Sequence, residues 1–174
     1  VAEDLEAHLV HLLHGRLCEV EQREAAGWAR SRDELWHVAL DNVRAGGRPE
    51  PEPFHAEPGV VLVGFRSDSL FTTTHSFWIE RTLDAGRHGV ILAVPNRHVL
   101  VAHAIRDASV VPAVDALVKV AIGFHREGPG PISPHLYWVR DGAWSRQHVQ
   151  PGDRQATFTP SLPFARLVDS LRTD

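Results

Sequence analysis

Two short polar stretches hold most of the residue types that could do chemistry. The first, "FRSDSLFTTTHSF", crowds Arg66, Ser67, Asp68, Ser69, Thr72, Thr73, Thr74 and His75 between an apolar run and a helical pattern. Polar groups at the C-terminal end of a buried strand, where a helix opens, suit a small anion or polar ligand. The competing reading is that these hydroxyls only cap the helix and satisfy the turn. The second stretch is Pro95-Asn96-Arg97-His98, between the apolar runs "GVILAV" and "VLVAHAI". Proline cannot donate to a ladder and should end the strand at Pro95, and Asn96 suits a turn. Arg97 is unexplained by turn chemistry, so it is either exposed or anchors a carboxylate, with Asp68 the candidate. If the strands at 60–65 and 89–94 run parallel as neighbours, through a crossover, Arg66, Asp68, His75, Asn96, Arg97 and His98 converge at one end.

Other constellations are weaker. His8, His11 and His14 stand three apart in a helical pattern, but each step turns about 60° around a helix, so the third points away from the first. No metal site is expected there. No His-Glu-x-x-His, glycine-rich phosphate loop or Gly-x-Ser-x-Gly elbow occurs. A triad of Ser69 or Ser76 with His75 and Asp68 exists only on paper, and no cofactor is expected. Cys18 is the only cysteine, which excludes an internal disulfide; beside Leu17 and Val20 it reads as a small, buried or half-buried apolar side chain.

Composition sets the class. Apolar residues make up 43% of the 174, enough for a globular core, and no run is long enough to span a bilayer. The net charge of -4 disfavours nucleic acid and anionic lipid as partners. The acidic start lacks a basic, signal-like region, so the expected compartment is the cytoplasm. Lys119 is the only lysine among many arginines, a bias that fits a GC-rich bacterial genome.

The elements follow from periodicity. "DLEAHLVHLLHGRL" has leucines at helical spacing, and "SRDELWHVALDNVRAGG" opens with a Ser31/Glu34 capping box. Its buried stripe would be Leu35, Trp36, Ala39, Leu40 and Val43, with Gly46 at the left-handed stop. "GGRPEPEPFHAEPG" holds four prolines and three glycines and reads as an extended loop. Then come a strand at 60–65, a helix "SFWIERTLDAG" with Phe77, Trp78 and Leu83 inward, a central strand at 89–94 and its hairpin partner at 98–105. A long helix with Pro112 in its first turn follows. Asp141-Gly142 marks a hairpin, "QATFT" a further strand and "SLPFARLVDSLR" a last helix capped by Ser161. The expectation is a single α+β domain over 1–174: a helical N-terminal layer (1–46), a loop (47–59), and a body (60–174). The body would hold a mixed or mostly antiparallel sheet of five to six strands, with helices on one face.

Trp138 and Trp144 would alternate along the hairpin and could form a docking face, or pack under the last helix. With no coherent catalytic set, the leading expectation is a module that binds a partner protein or small ligand, with homodimerisation through the sheet a further expectation. The alternative is a small hydrolase or transferase using the 66–75 loop and the Pro95–His98 turn. "ELWHVALDNVRA", "GVILAVPNRHVLVAH" and "PISPHLYWVRDGAW", in this order, resemble the YtpQ-like family of uncharacterised bacterial proteins. The matching residues are Ala39, Asn42, Pro95, Asn96, Arg97, Ser133, Pro134, Leu136 and Tyr137. His98 stands where that pattern has an acid. The resemblance bears on fold and residue choice and implies no activity.

Overall fold

The histidine-rich N-terminal stretch is a hairpin, not a helix: β1 (Val10–Leu13) pairs antiparallel with β2 (Arg16–Glu19). His14 and Gly15 both have positive φ, at 51° and 78°, which closes a two-residue turn of the type that strand twist favours. The leucine spacing also fits a helix, but Leu12 and Leu13 are exposed at 57% and 49%, so they build no core stripe. Cys18 lies on β2 and is exposed rather than half-buried. Two helices follow, α1 (Gln22–Ala26) and α2 (Arg32–Ala45), and α2 carries the expected capping box between Ser31 and Glu34. Those Ser31 hydrogen bonds lower the pKa of Glu34. Leu35, Trp36, Ala39, Leu40 and Val43 do share a side, but each is only half-buried. Gly46 keeps a right-handed φ of -70°, and Gly47 takes the left-handed position at 93°. The helical layer expected over residues 1–46 is therefore a hairpin plus two helices without a fully buried residue on either helix.

The computed structural model describes residues 1–57, 59–152 and 155–173. Its contacts divide the chain into one unit of Val1 with Glu6–Arg48, and a second of Ala2–Leu5 with Pro49–Asp174. The second unit contains β3 (Pro51–Glu57), β4 (Val60–Arg66), a 3-10 turn (Thr72–Trp78), α3 (Ile79–Thr82), β5 (Val90–Asn96) and β6 (Val99–Ala104). It continues with α4 (Val110–Glu127), β7 (Leu136–Arg140), β8 (Ala143–Gln150), β9 (Thr157–Thr159) and α5 (Leu162–Thr173).

The sheet is antiparallel throughout, in the order β3-β4-β6-β5-β7-β8-β9. It has seven strands rather than five or six. The added strand is β3, inside the stretch expected to be a loop. Its prolines hide it from a propensity reading, yet β3 is an edge strand, where a missing N–H is tolerated. β4 and β5 point the same way but are not neighbours, because β6 lies between them and is antiparallel to both.

β5 sits at the centre and is buried at every position, as its unbroken apolar run requires. Alternation along β6 separates two cores. Val99, Val101 and Ile105 join α4 and α5 residues such as Leu117 and Phe164. Leu100 and Ala102 face Ile79 of α3 and Leu5. Helices thus cover both faces of the sheet, not one. The segment expected as a single helix with Phe77 inward is mostly 3-10 in winding. Eclipsed i, i+3 positions bury Thr72 with His75 and Ser76 with Ile79, leaving Phe77 39% exposed.

The Asp141-Gly142 turn has both φ values positive, 53° and 74°. Both of its N–H groups donate to the carboxylate of Glu80 on α3, each at 2.9 Å. Glu80→Ala removes that acceptor from two backbone donors, so a loss of about 1–3 kcal/mol is expected in urea unfolding.

Candidate functional site

The 66–75 loop and the Pro95–His98 turn do meet. The Ser67 N–H donates to His98 O at 3.4 Å, and His98 Nδ1 lies 3.1 Å from Ser67 O, where it acts as donor. Asn96, 1% exposed, holds the turn at both ends of its amide. Its Oδ1 accepts from the His98 N–H at 3.0 Å, and its Nδ2 donates to Phe124 O, in the last turn of α4, at 3.0 Å. Pro95 does not end the strand: β5 runs on to Asn96 through a register shift after Ala93. Lacking a donor, Pro95 contributes its carbonyl, which accepts from the Ile132 N–H at 2.9 Å.

Loop hydroxyls are engaged locally. Ser67 Oγ and Thr72 Oγ1 are 2.6 Å apart, Ser69 Oγ accepts from the Phe71 N–H, and Thr72 Oγ1 donates to Ser69 O. This is the turn-satisfying reading of the stretch. His75 is buried, edge-on to Trp78 at 5.5 Å between ring centres.

The two arginines differ from these groups. The Arg66 guanidinium lies 5.4 Å from the centre of the Phe124 ring, in cation–π geometry. Arg97 lies along Gly130, where a β-carbon would fall 2.1 Å from its Nε. Among the described residues neither has an ion-pair partner. The expected Arg97–Asp68 pair is absent, and Asp68 is exposed. Of the six residues singled out from sequence, Arg66, Asn96 and Arg97 lie against the Phe124–Gly130 segment, and His98 bonds Asn96 and Ser67. Asp68 turns to solvent and His75 to the interior.

Trp138 and Trp144 do not form a docking face. Trp138 is 6% exposed, donates from Nε1 to His88 O at 2.8 Å and packs edge-on against Phe164 of α5. Trp144 pairs opposite Val139, which places it on the other face of the sheet, against Tyr137 and Phe77.

One polar cluster escaped the sequence reading. Asp4 Oδ2 lies 3.2 Å from the Tyr137 hydroxyl, 3.6 Å from His135 Nε2 and 3.7 Å from Arg146 Nη1. The Tyr137 hydroxyl also lies 2.7 Å from Ser133 Oγ. His135 Nδ1 accepts from the Val149 N–H at 3.1 Å, which fixes its neutral tautomer with the proton on Nε2. Burial lowers the His135 pKa, opposed by Asp4, while burial raises that of Tyr137. The signal was the Asp141-Gly142 turn, whose register sets Tyr137 opposite Arg146.

His103 also has a lowered pKa, chiefly through burial. A histidine that binds its proton less readily when folded stabilises the fold above the unfolded pKa of about 6.5 and loses stability as the pH falls below it. Unfolding midpoints should therefore drop between pH 7.5 and pH 5.5. The drop should shrink in a His103→Gln/His135→Gln variant; an unchanged slope would assign it to other groups.

The His8, His11 and His14 side chains do not converge. His8 bonds Glu19 at 2.6 Å, His11 faces Glu24 at 3.2 Å, and His14 sits in the β1–β2 turn. Among the described residues no group of three or more potential metal ligands comes together. The first unit does carry an open groove of about 500 Å³, lined by residues including His8, Glu19, Arg30, Arg32 and Trp36. Among the described residues no helix is long and apolar enough to cross a membrane. Comparison with protein-family models, with curated proteins and with solved structures gave no match.

Proposed function

We propose that the chain is a cytoplasmic bacterial binding module rather than an enzyme, and that the β4–β5 end of its sheet receives a small anionic ligand. The observation that carries this reading is the pair Arg66 and Arg97, held at one end of the sheet by a ring and a glycine, with no carboxylate partner among the described residues. A guanidinium fork without a protein carboxylate matches phosphate or carboxylate oxygens. The remaining polar groups there support the arginines. Asn96 and His98 set the turn that carries Arg97, and the loop hydroxyls hold the strand end that carries Arg66. Among the described residues every buried side-chain nitrogen and oxygen has a partner, which suits a scaffold around an exposed recognition pair.

The resemblance to the YtpQ-like family is part of this proposal. Within the second unit, Asn96 bridges to Pro131 and the Ser133 N–H donates to Val94 O, so the matched stretches at 95–97 and 133–137 lie side by side.

Calorimetric titration with inorganic pyrophosphate tests the reading. Arg66→Ala and Arg97→Ala should each weaken binding about tenfold or more, the worth of one charge-assisted hydrogen-bonded contact. No binding by the unaltered protein, or an affinity that neither substitution changes, would overturn it.

A second reading, a small hydrolase or transferase at the same end, draws on the contact between Ser67 and His98. With Nδ1 engaged, Nε2 of His98 would be the base. It predicts that His98→Ala abolishes turnover of a phosphate or carboxylate ester. Turnover that survives the substitution rejects it.

A further inference from the structure

We infer that Arg146, His135 and Tyr137 form a carboxylate-binding site, and that the chain's own Asp4 occupies it here. The three side chains stand on one face of β7, β8 and the residue before β7, with Tyr137 and Arg146 directly opposite each other. Their donors converge on a single atom, Asp4 Oδ2, at 3.2 Å from the tyrosine hydroxyl, 3.6 Å from His135 Nε2 and 3.7 Å from Arg146 Nη1. Two of the donors, His135 and Tyr137, are set by the sheet rather than by Asp4. The Val149 N–H holds His135 Nδ1 as an acceptor, so Nε2 presents its proton outward. Ser133 Oγ locates the Tyr137 hydroxyl, and Tyr137 itself is fully buried. A hydroxyl, a neutral imidazole N–H and a guanidinium around one oxygen make a preorganised acceptor site for a carboxylate.

Asp4 belongs to a short turn closed by backbone bonds between Ala2 and Leu5, and Glu3 beside it is 81% exposed. Arg146 engages both acids, Nη2 with Glu3 at 2.9 Å and Nη1 with Asp4. The site thus takes two carboxylates a few ångströms apart. Its ligand class when the turn lifts is a dicarboxylate, either a free diacid or two adjacent acidic residues of a peptide. This site is on β7–β8 and does not rest on the Arg66–Arg97 reading.

The test is a Glu3→Ala/Asp4→Ala variant, titrated by NMR with succinate and with an acetylated peptide of residues 1–6. Vacating the site should tighten binding of one or both probes at least tenfold over the unaltered protein, with shifts at Tyr137, His135 and Arg146. Adding Arg146→Ala should abolish it. Succinate alone would identify the free-diacid source, and the peptide alone an acidic segment. No tightening with either probe would overturn the inference and leave Asp4 as a structural contact. If the double variant fails to fold, Asp4→Asn keeps the turn's size and carries the same comparison.

Discussion

Leu117→Ala should lower the stability of the sheet-bearing unit by about 2–5 kcal/mol, the range for truncating a buried leucine. Leu117 is fully buried on α4, which packs over the central strand and carries Phe124 at its far end. Removing its side chain costs the transfer of three heavy atoms and leaves a cavity that the sheet beneath cannot collapse to fill, because β5 is clamped between β6 and β7. A domain of this kind has about 5–15 kcal/mol in all. The variant should thus show a lower urea midpoint with an unchanged slope. It should also weaken anion binding only in proportion to the unfolded fraction, since no ligand contact is removed.

Asn96→Ala should cost about 1–3 kcal/mol despite its small volume, because it removes one of two donors from the Phe124 carbonyl, which keeps the Gly128 N–H, and the acceptor of a turn N–H at once. Asn96→Asp gives the sharper result. Its second oxygen would face the Phe124 carbonyl, an acceptor against an acceptor, and a carboxylate would be buried without a cation. The loss at pH 7 should exceed that of alanine. Protonation restores a donor to Phe124, so the folded state raises the pKa of this acid above its unfolded value. Stability should therefore recover as the pH falls toward about 4. Urea midpoints of both variants at pH 7 and pH 4 check the sign.

Elements with a single period were legible in the sequence. The unbroken apolar run of β5, the alternation of β6 and the Asp141-Gly142 turn all formed as read. The departures occur where two physical rules compete. Leucine spacing at residues 5–17 fits a helix, but a His14-Gly15 turn in the left-handed region decides for a hairpin. Prolines at 51 and 53 argue against a strand, yet an edge position removes their cost. Arg66 and the Asn96–His98 turn lie at the same end of the sheet because β4 and β5 point the same way. The neighbour relation assumed for those strands was wrong, since β6 intervenes. Asp68 and His75 were chosen by proximity in sequence, which says nothing about which side of a 3-10 turn faces in. The Asp4 cluster pairs residues more than 130 positions apart. Only its β7–β8 half follows from the hairpin register.

The most direct measurement is an NMR titration of the arginine side-chain Nε–Hε signals with pyrophosphate. Arg66 and Arg97 should shift together and saturate with one affinity, while Arg146, held by Glu3, stays put. Saturable shifts confined to other arginines, or no shift at Arg66 and Arg97, would contradict anion binding there.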